Sequence, residues 1–188
     1  MTLTRRQALT GTFAMAAMAP GLAQAEDATV IDARVNIALQ QLYKQIPGSQ
    51  ELAGRAQAVL VMPDVVKGGF IVGGAYGEGA LRLNDGSSSY SVTERYYSVG
   101  AASVGLQAGL QQTSHAIFFL TESALDGFRR KDGWQIGADA EVTFPDAGLN
   151  LGLDSTTYDQ PIIGFVFGED GLLLGASLEG SKYSRIER

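Results

Sequence analysis

The sequence predicts an α+β fold: N-terminal helices followed by a strongly twisted, Gly-rich, mainly antiparallel β-sheet, partly barrel-like, with one short internal helix. Three observations carry this. Apolar residues recur at helical spacing up to Ile46, the period changes to two from Ala58, and the chain holds 24 glycines, many inside strand patterns. Glycine weakens a strand unless another backbone approaches closely or the strand bends sharply, so a curved, nearly closed sheet accounts for their number.

The first 25 residues have the three parts of a secretory signal. Arg5 and Arg6 are the only charges there, an uncharged run from Ala8 to Ala19 follows, and Ala23-Gln24-Ala25 offers a small-x-small site with cleavage between Ala25 and Glu26. The run is shorter than the roughly 20 apolar residues a membrane-spanning anchor needs. Thr4-Arg5-Arg6-Gln7-Ala8-Leu9 resembles a twin-arginine signal, although Ala8 stands where an aromatic is usual; a general secretory signal is the alternative. Either route predicts an exported protein, periplasmic or secreted and able to sit peripherally on a membrane. Cleavage removes two arginines and no acid, so 14 basic and 20 acidic residues become 12 and 20, a net charge of −8. Such a body disfavours nucleic acid as a partner and simple polybasic adhesion to membranes. With no cysteine there is no disulfide, thiol nucleophile, zinc-thiolate site or lipoprotein anchor, so stability must come from the core.

The mature chain reads as one domain over residues 26–188, with helices in 27–56 and the β region in 57–188. Asp27 is the expected N-cap of a helix whose apolar face is Val30, Ile31, Val35, Ala38, Leu39, Leu42 and Ile46, stopped by Pro47-Gly48. A shorter helix is expected from Ser49, its cap, to Ala56. Val59 to Met62 reads as a short strand ended by Pro63-Asp64. Beyond it lie Gly68-Gly69, Gly73-Gly74, Gly77, Gly79 and an Asp85-Gly86 turn. Thr121 opens a helix to about Arg130, and Asp132-Gly133 turns the chain into Trp134. Ile136, Ala138, Ala140, Val142 and Phe144 alternate with polar residues, as do Leu149, Leu151 and Leu153, which predicts two half-buried strands. Ile162–Phe167 and Leu172–Leu178, joined by Glu169-Asp170-Gly171, predict a hairpin.

No catalytic constellation assembles. His115 is the sole histidine and precedes the buried-looking Ala116-Ile117-Phe118-Phe119-Leu120, so it reads as structural and builds no metal site. Gly175-Ala176-Ser177-Leu178-Glu179 lacks the last glycine of a nucleophile elbow. Gly77-Glu78-Gly79 fails the dinucleotide pattern, and Leu106-Gln107 replaces the Lys-Ser/Thr of a P-loop after Gly100 and Gly105. Neither enzyme, cofactor nor metal is expected. An outer-membrane barrel would also alternate, with Val104, Leu106, Ala108 and Leu110 facing lipid, but the helices and the charged end from Ser181 to Arg188 oppose it.

Several blocks, in order, resemble the SYLF domain, a lipid-binding family of bacteria and of eukaryotic actin and membrane regulators. They are Pro63-Asp64-Val65-Val66-Lys67-Gly68-Gly69-Phe70, Gly73-Gly74-Ala75-Tyr76-Gly77-Glu78-Gly79, Tyr97-Ser98-Val99-Gly100 and Gly105-Leu106-Gln107-Ala108-Gly109. Thr121-Glu122-Ser123-Ala124-Leu125, Gly133-Trp134, Pro161-Ile162-Ile163-Gly164-Phe165-Val166-Phe167 and Leu178-Glu179-Gly180-Ser181-Lys182 follow. The likeness spans about residues 50–188. It implies phospholipid binding without catalysis, the partner being a phospholipid or membrane surface. Export disfavours the actin and phosphoinositide partners of eukaryotic members, leaving a general phospholipid of the bacterial cell envelope. The helix from Asp27 to Ile46 lacks the basic face of an interfacial anchor. A headgroup needs cationic donors near an amphipathic aromatic ring. The candidates are Lys67 beside Gly68-Gly69; Arg129, Arg130 and Lys131 with Trp134; and Lys182 and Arg185. The basic triplet equally suits a helix C-terminus. A protein-assembly module without lipid is the alternative function.

Overall fold

The structure is a computed structural model that describes residues 26–69, 72–86, 90, 92–104, 110–145, 159–173 and 178–188. The expected export signal, with Arg5, Arg6 and Ala25, lies outside these residues, as does the expected strand at Leu149–Leu153. Helices α1 (Ala28–Gln45) and α2 (Ser49–Arg55) precede strands β1 (Ala58–Gly69), β2 (Val72–Leu83), β3 (Val92–Val104) and β4 (Leu110–Phe119). Helix α3 (Glu122–Arg130) and strands β5 (Trp134–Gln135), β6 (Ile162–Gly168), β7 (Gly171–Leu172) and β8 (Lys182–Ile186) complete the order. All eight strands join one antiparallel sheet, β5-β8-β3-β2-β1-β4-β6-β7, curled into a half-barrel.

Local chemistry sets the helix ends. Asp27 accepts the Thr29 N–H at 2.8 Å and Thr121 accepts that of Ala124 at 3.3 Å, caps worth about 1 kcal/mol each. Ser49 does something other than expected. Gly48, at φ 83°, starts α2 without a side-chain cap. The buried Ser49 hydroxyl instead donates back to Ile46 O at 2.6 Å and Leu42 O at 3.3 Å, closing the end of α1. Of the expected apolar face of α1, Val30 alone points outward, 43% exposed.

One face of the sheet packs on α1 and α2 through Val59, Val61, Ala80, Ala116, Phe118, Ile163 and Phe165. The other packs on α3 and the segment after it through Leu60, Met62, Leu81, Tyr97, Ile117, Phe119, Trp134 and Tyr183. Helix α1 is fastened by Asp32, whose carboxylate accepts Arg82 Nη2 at 3.0 Å, Thr93 Oγ1 at 2.8 Å and Tyr96 OH at 3.1 Å. Arg82, its side chain 3% exposed, also donates to Tyr90 O at 2.9 Å, which offsets the cost of burying its charge. At the start of α1 the Glu26 N–H reaches the Glu78 carboxylate, which Arg188 and Tyr76 also bond. Burial works to raise this carboxyl, but the hydrogen bonds from Arg188 and Tyr76 outweigh it and hold it below the usual range.

Pro63-Asp64 does not end β1, contrary to expectation. The strand continues to Gly69 through a bulge: Met62 pairs with His115 and Val65 with Thr113, so two residues, Pro63 and Asp64, face Ser114 alone. Asp64 adopts φ 51° and donates its N–H to Ser114 Oγ at 3.3 Å. A bulge is where a sheet tolerates proline. The opposing strand makes room with glycine: a Cβ on Gly79 would lie 2.0 Å from Val61 O, and one on Gly77 2.8 Å from Val65 Cγ2. Bulge and glycines together bend the sheet here.

The alternating run from Ile136 to Phe144 is not a strand. Gly137 at φ 85° turns the chain, and the Asp139 carboxylate takes the Gln135 N–H at 2.8 Å. Only isolated bridges, Ile136 to Ala140 and Thr143 to Ile163, remain. The hairpin turn forms, Gly168 pairing with Gly171 around Glu169-Asp170, but its second strand is described only over Gly171–Leu172; residues 174–177 of the expected run Leu172–Leu178 lie outside the described residues.

Candidate functional site

The seven cation and aromatic candidates do not converge. Arg129 lies in the last turn of α3 and grips Glu94 of β3 with a fork: Nε to Oε1 at 3.0 Å and Nη2 to Oε2 at 2.6 Å. Those bonds raise its already high pKa and offset its charge. Lys131 is paired with Asp139, and that bond, with the Gln135 N–H, holds the Asp139 carboxyl below its usual range. Arg130 is exposed beside them. Trp134, expected at a polar–apolar boundary, is only 2% exposed. Its ring packs 5.2 Å from Phe128 and 5.9 Å from Tyr183, centroid to centroid, so it stabilises the core and offers nothing to a surface ligand. Arg185 is half-buried on the same sheet face as Tyr183, its N–H donating to Asp132 at 2.9 Å.

Lys67 and Lys182 differ: both are exposed, and neither has an ion pair among the described residues. They sit at the end of the central strands that runs past the bulge. Register places Gln135, Lys182, Gly100, Tyr76, Val66 and Gln112 in one row across six strands, β5-β8-β3-β2-β1-β4. In-register residues share a face, and this one continues the face that α1 covers further along. Here it is bare. Gly100 and Gln112 are exposed, Tyr76 is 49% exposed and Val66 46%. In the next row Ala102, Gly74 and Gly68 carry almost no side chain. Lys67 projects from the opposite face, alongside Gln111.

Among the described residues the row itself carries no carboxylate, and the neighbouring Glu78 is taken up by Arg188 and Tyr76. In a chain with 20 acids, none occurs between Asp64 and Glu78 or between Glu94 and Glu122. Tyr76 is bonded to Glu78 at 2.6 Å and stays protonated, its pKa pushed up to about 12, first by burial and then by that bond. The surface therefore presents aliphatic and aromatic groups, amides, open backbone and ammonium charge. Sequence reasoning names Lys67 and Lys182 as candidates but not Val66, Tyr76, Gly100 and Gln112. The acid-free intervals were a readable signal; the register that joins them was not.

His115 contributes no proton chemistry. It is 4% exposed, Nε2 lies 3.2 Å from Thr113 Oγ1, and burial alone lowers its pKa to about 3. Among the described residues no group of three acids or histidines could hold a metal, and no helix is long and apolar enough to cross a membrane.

Comparison with known proteins gives one family. The model described as Ysc84, Las17-binding protein actin regulator, matches residues 100–187, from the bare row in β3 to the end of β8. No curated protein matches the chain. Over those residues the chain is similar to the Ysc84 (SYLF) domain, a binding module, which is consistent with a SYLF-domain protein.

Proposed function

We propose that the protein is a non-enzymatic phospholipid-binding module of a bacterial cell envelope, exported through residues 1–25 and docking on membranes from the aqueous side. The observation that carries this reading is the exposed sheet end, with Val66 and Tyr76 as apolar contacts, Lys182 as charge on their face and Lys67 on the opposite face. On an acidic protein, such a patch, whose neighbouring Glu78 is ion-paired with Arg188, is where an anionic bilayer surface meets least repulsion at short range. Tyr76 suits the interface, having an apolar ring and a polar tip.

Protein purified from an exporting host, its N-terminus at Glu26, is mixed with vesicles of phosphatidylcholine alone or with phosphatidylglycerol added. Co-sedimentation should rise with anionic lipid and fall with salt. Lys67→Gln should lower the partition coefficient about five-fold, the effect of about 1 kcal/mol for one lysine near a charged surface. Arg129→Ala should leave it unchanged. Absence of sedimentation at every composition and salt would refute the lipid reading and favour a protein-assembly module. That alternative has one feature in its support: beyond Gly100 the outer edge of β3 has no strand partner among the described residues.

A further inference from the structure

The bare row ends in a shallow cleft of about 470 Å³ walled by Tyr76, Ser98, Gly100, Gln135, Lys182 and Ser184. Pairing brings these groups together: Ser98 faces Ser184, Gly100 faces Lys182, and Lys182 faces Gln135. The floor is open, since a Cβ on Gly100 would have no neighbour within 4 Å. The lysine stem crosses Gly133 so closely that a Cβ there would stand 2.4 Å from Lys182 Cε and 3.1 Å from Nζ. Gly133, at φ 72°, is required by the turn, and the lysine stem lies over it.

The donors of this cleft are unused within the protein. Among the described residues, the Ser98 and Ser184 hydroxyls, the Gln135 amide and the Lys182 ammonium have no hydrogen-bond partner. Asp139 feels the Lys182 charge, but it is held by Lys131 and the Gln135 N–H and is not part of the wall. The other two clefts differ in kind. The one between α1, β4 and the β6–β7 hairpin contains Asp64, Glu169 and Asp170, and the one beside α3 contains Asp139 and Glu141. Compared with these two, the Lys182 cleft has a cation and no carboxylate among its described lining residues.

An ammonium with two hydroxyls and an amide, aimed into space that no acid shares, matches an oxyanion with several acceptor oxygens. We propose that this cleft binds a phosphate group, with Lys182 as the countercharge and Ser98, Ser184 and Gln135 as hydrogen-bond donors. The group could come from a lipid headgroup, which deepens the membrane reading above, or from a soluble phosphate ester, which does not depend on it.

Backbone amide resonances of the processed protein are followed during titration with inorganic phosphate, glycerol 3-phosphate and vesicles containing phosphatidic acid. Two variants accompany it. Lys182→Gln removes the charge, and Gly100→Asp places a carboxylate in the open floor, where no packing opposes it. Saturable shifts centred on Ser98, Gly100, Lys182 and Ser184, weakened about ten-fold or more in both variants, are expected for charge-assisted recognition. Shifts with all three probes identify the phosphate group itself as the ligand, and shifts with vesicles alone assign it to lipid. Absence of shifts with every probe, or shifts equal in both variants and the parent, would overturn the cleft. Shifts with the two soluble probes alone, with vesicle sedimentation surviving both variants, assign the cleft to a soluble phosphate ester and leave the membrane reading to other residues.

Discussion

Gly79→Ala and Gly100→Ala test whether the sheet is bent by the β1 bulge pressing on β2. Both glycines are strand residues, and sequence alone ranks them equally. In the fold they are opposites. A methyl at Gly79 would stand 2.0 Å from Val61 O, 2.8 Å from Met62 Cα and 2.9 Å from Met62 Sδ; at Gly100 it would meet nothing within 4 Å. Carbon–oxygen contacts settle near 3.3 Å or beyond, so β1 must retreat by more than ~1 Å at Gly79. Two of the three close atoms are backbone, so a change of rotamer gives no relief. Overpacking of this kind costs about 1–3 kcal/mol, and the distorted ladder beside the bulge adds to it, which sets the expectation at about 3 kcal/mol. For a protein of this size, that lowers Tm by about 6–12 °C. Gly100→Ala should be neutral or stabilise by up to about 1 kcal/mol through the unfolded chain's lost freedom. Thermal and urea unfolding followed by circular dichroism would measure both, with an unchanged m-value showing that only stability moved. Coincident melting of the two variants would refute the close approach and the origin of the curvature with it.

Two further expectations concern buried polar groups. His115 is neutral in the folded protein down to about pH 3, whereas in the unfolded chain it takes a proton near pH 6.5. Its contribution is therefore complete above that pH and falls by up to ~1.4 kcal/mol per pH unit as pH drops towards 3. Urea midpoints of the parent and His115→Gln should converge on acidification, and parallel curves would show that the imidazole is not desolvated. Ser49→Ala removes the hydroxyl that closes α1 and leaves Leu42 O with the Ile46 N–H alone and Ile46 O with the Ser49 N–H alone. A loss of about 1 kcal/mol, one net hydrogen bond, is expected in the same unfolding assay, and an unaltered midpoint would mean that the backbone donors suffice.

Elements were legible where their determinants lie within a turn of each other. Asp27 and Thr121 cap as their sequences indicate, and Glu169-Asp170-Gly171 makes its hairpin, because those bonds close locally. β1 was misjudged at Pro63 because its continuation depends on Ser114, 50 residues away, and on glycines in β2. Ile136–Phe144 was misjudged for the converse reason. Its alternation survives in part, with Ile136 and Val142 buried, but a left-handed glycine and the Asp139 carboxylate fold the backbone between them. The candidate site shows the same division. Arg129, Arg130 and Lys131 stand out as a basic triplet, yet Glu94, 35 residues earlier, has already engaged Arg129. Lys182, Gly100, Tyr76 and Val66 become neighbours only through strand pairing, which no local pattern encodes.

Glu78 has a topological consequence. By receiving the Glu26 N–H and the Arg188 guanidinium, it brings the two ends of the described chain to one carboxylate. Ends this close can be joined by a short linker, so a circularly permuted protein with Arg188 linked to Glu26 and new termini at the Asp85-Gly86 turn should retain the fold. The same closeness warns the experimentalist. Tyr76 bonds Glu78, so a purification tag on either terminus emerges beside the bare face of the sheet, and a tag inserted at that turn keeps clear of the carboxylate where the ends meet.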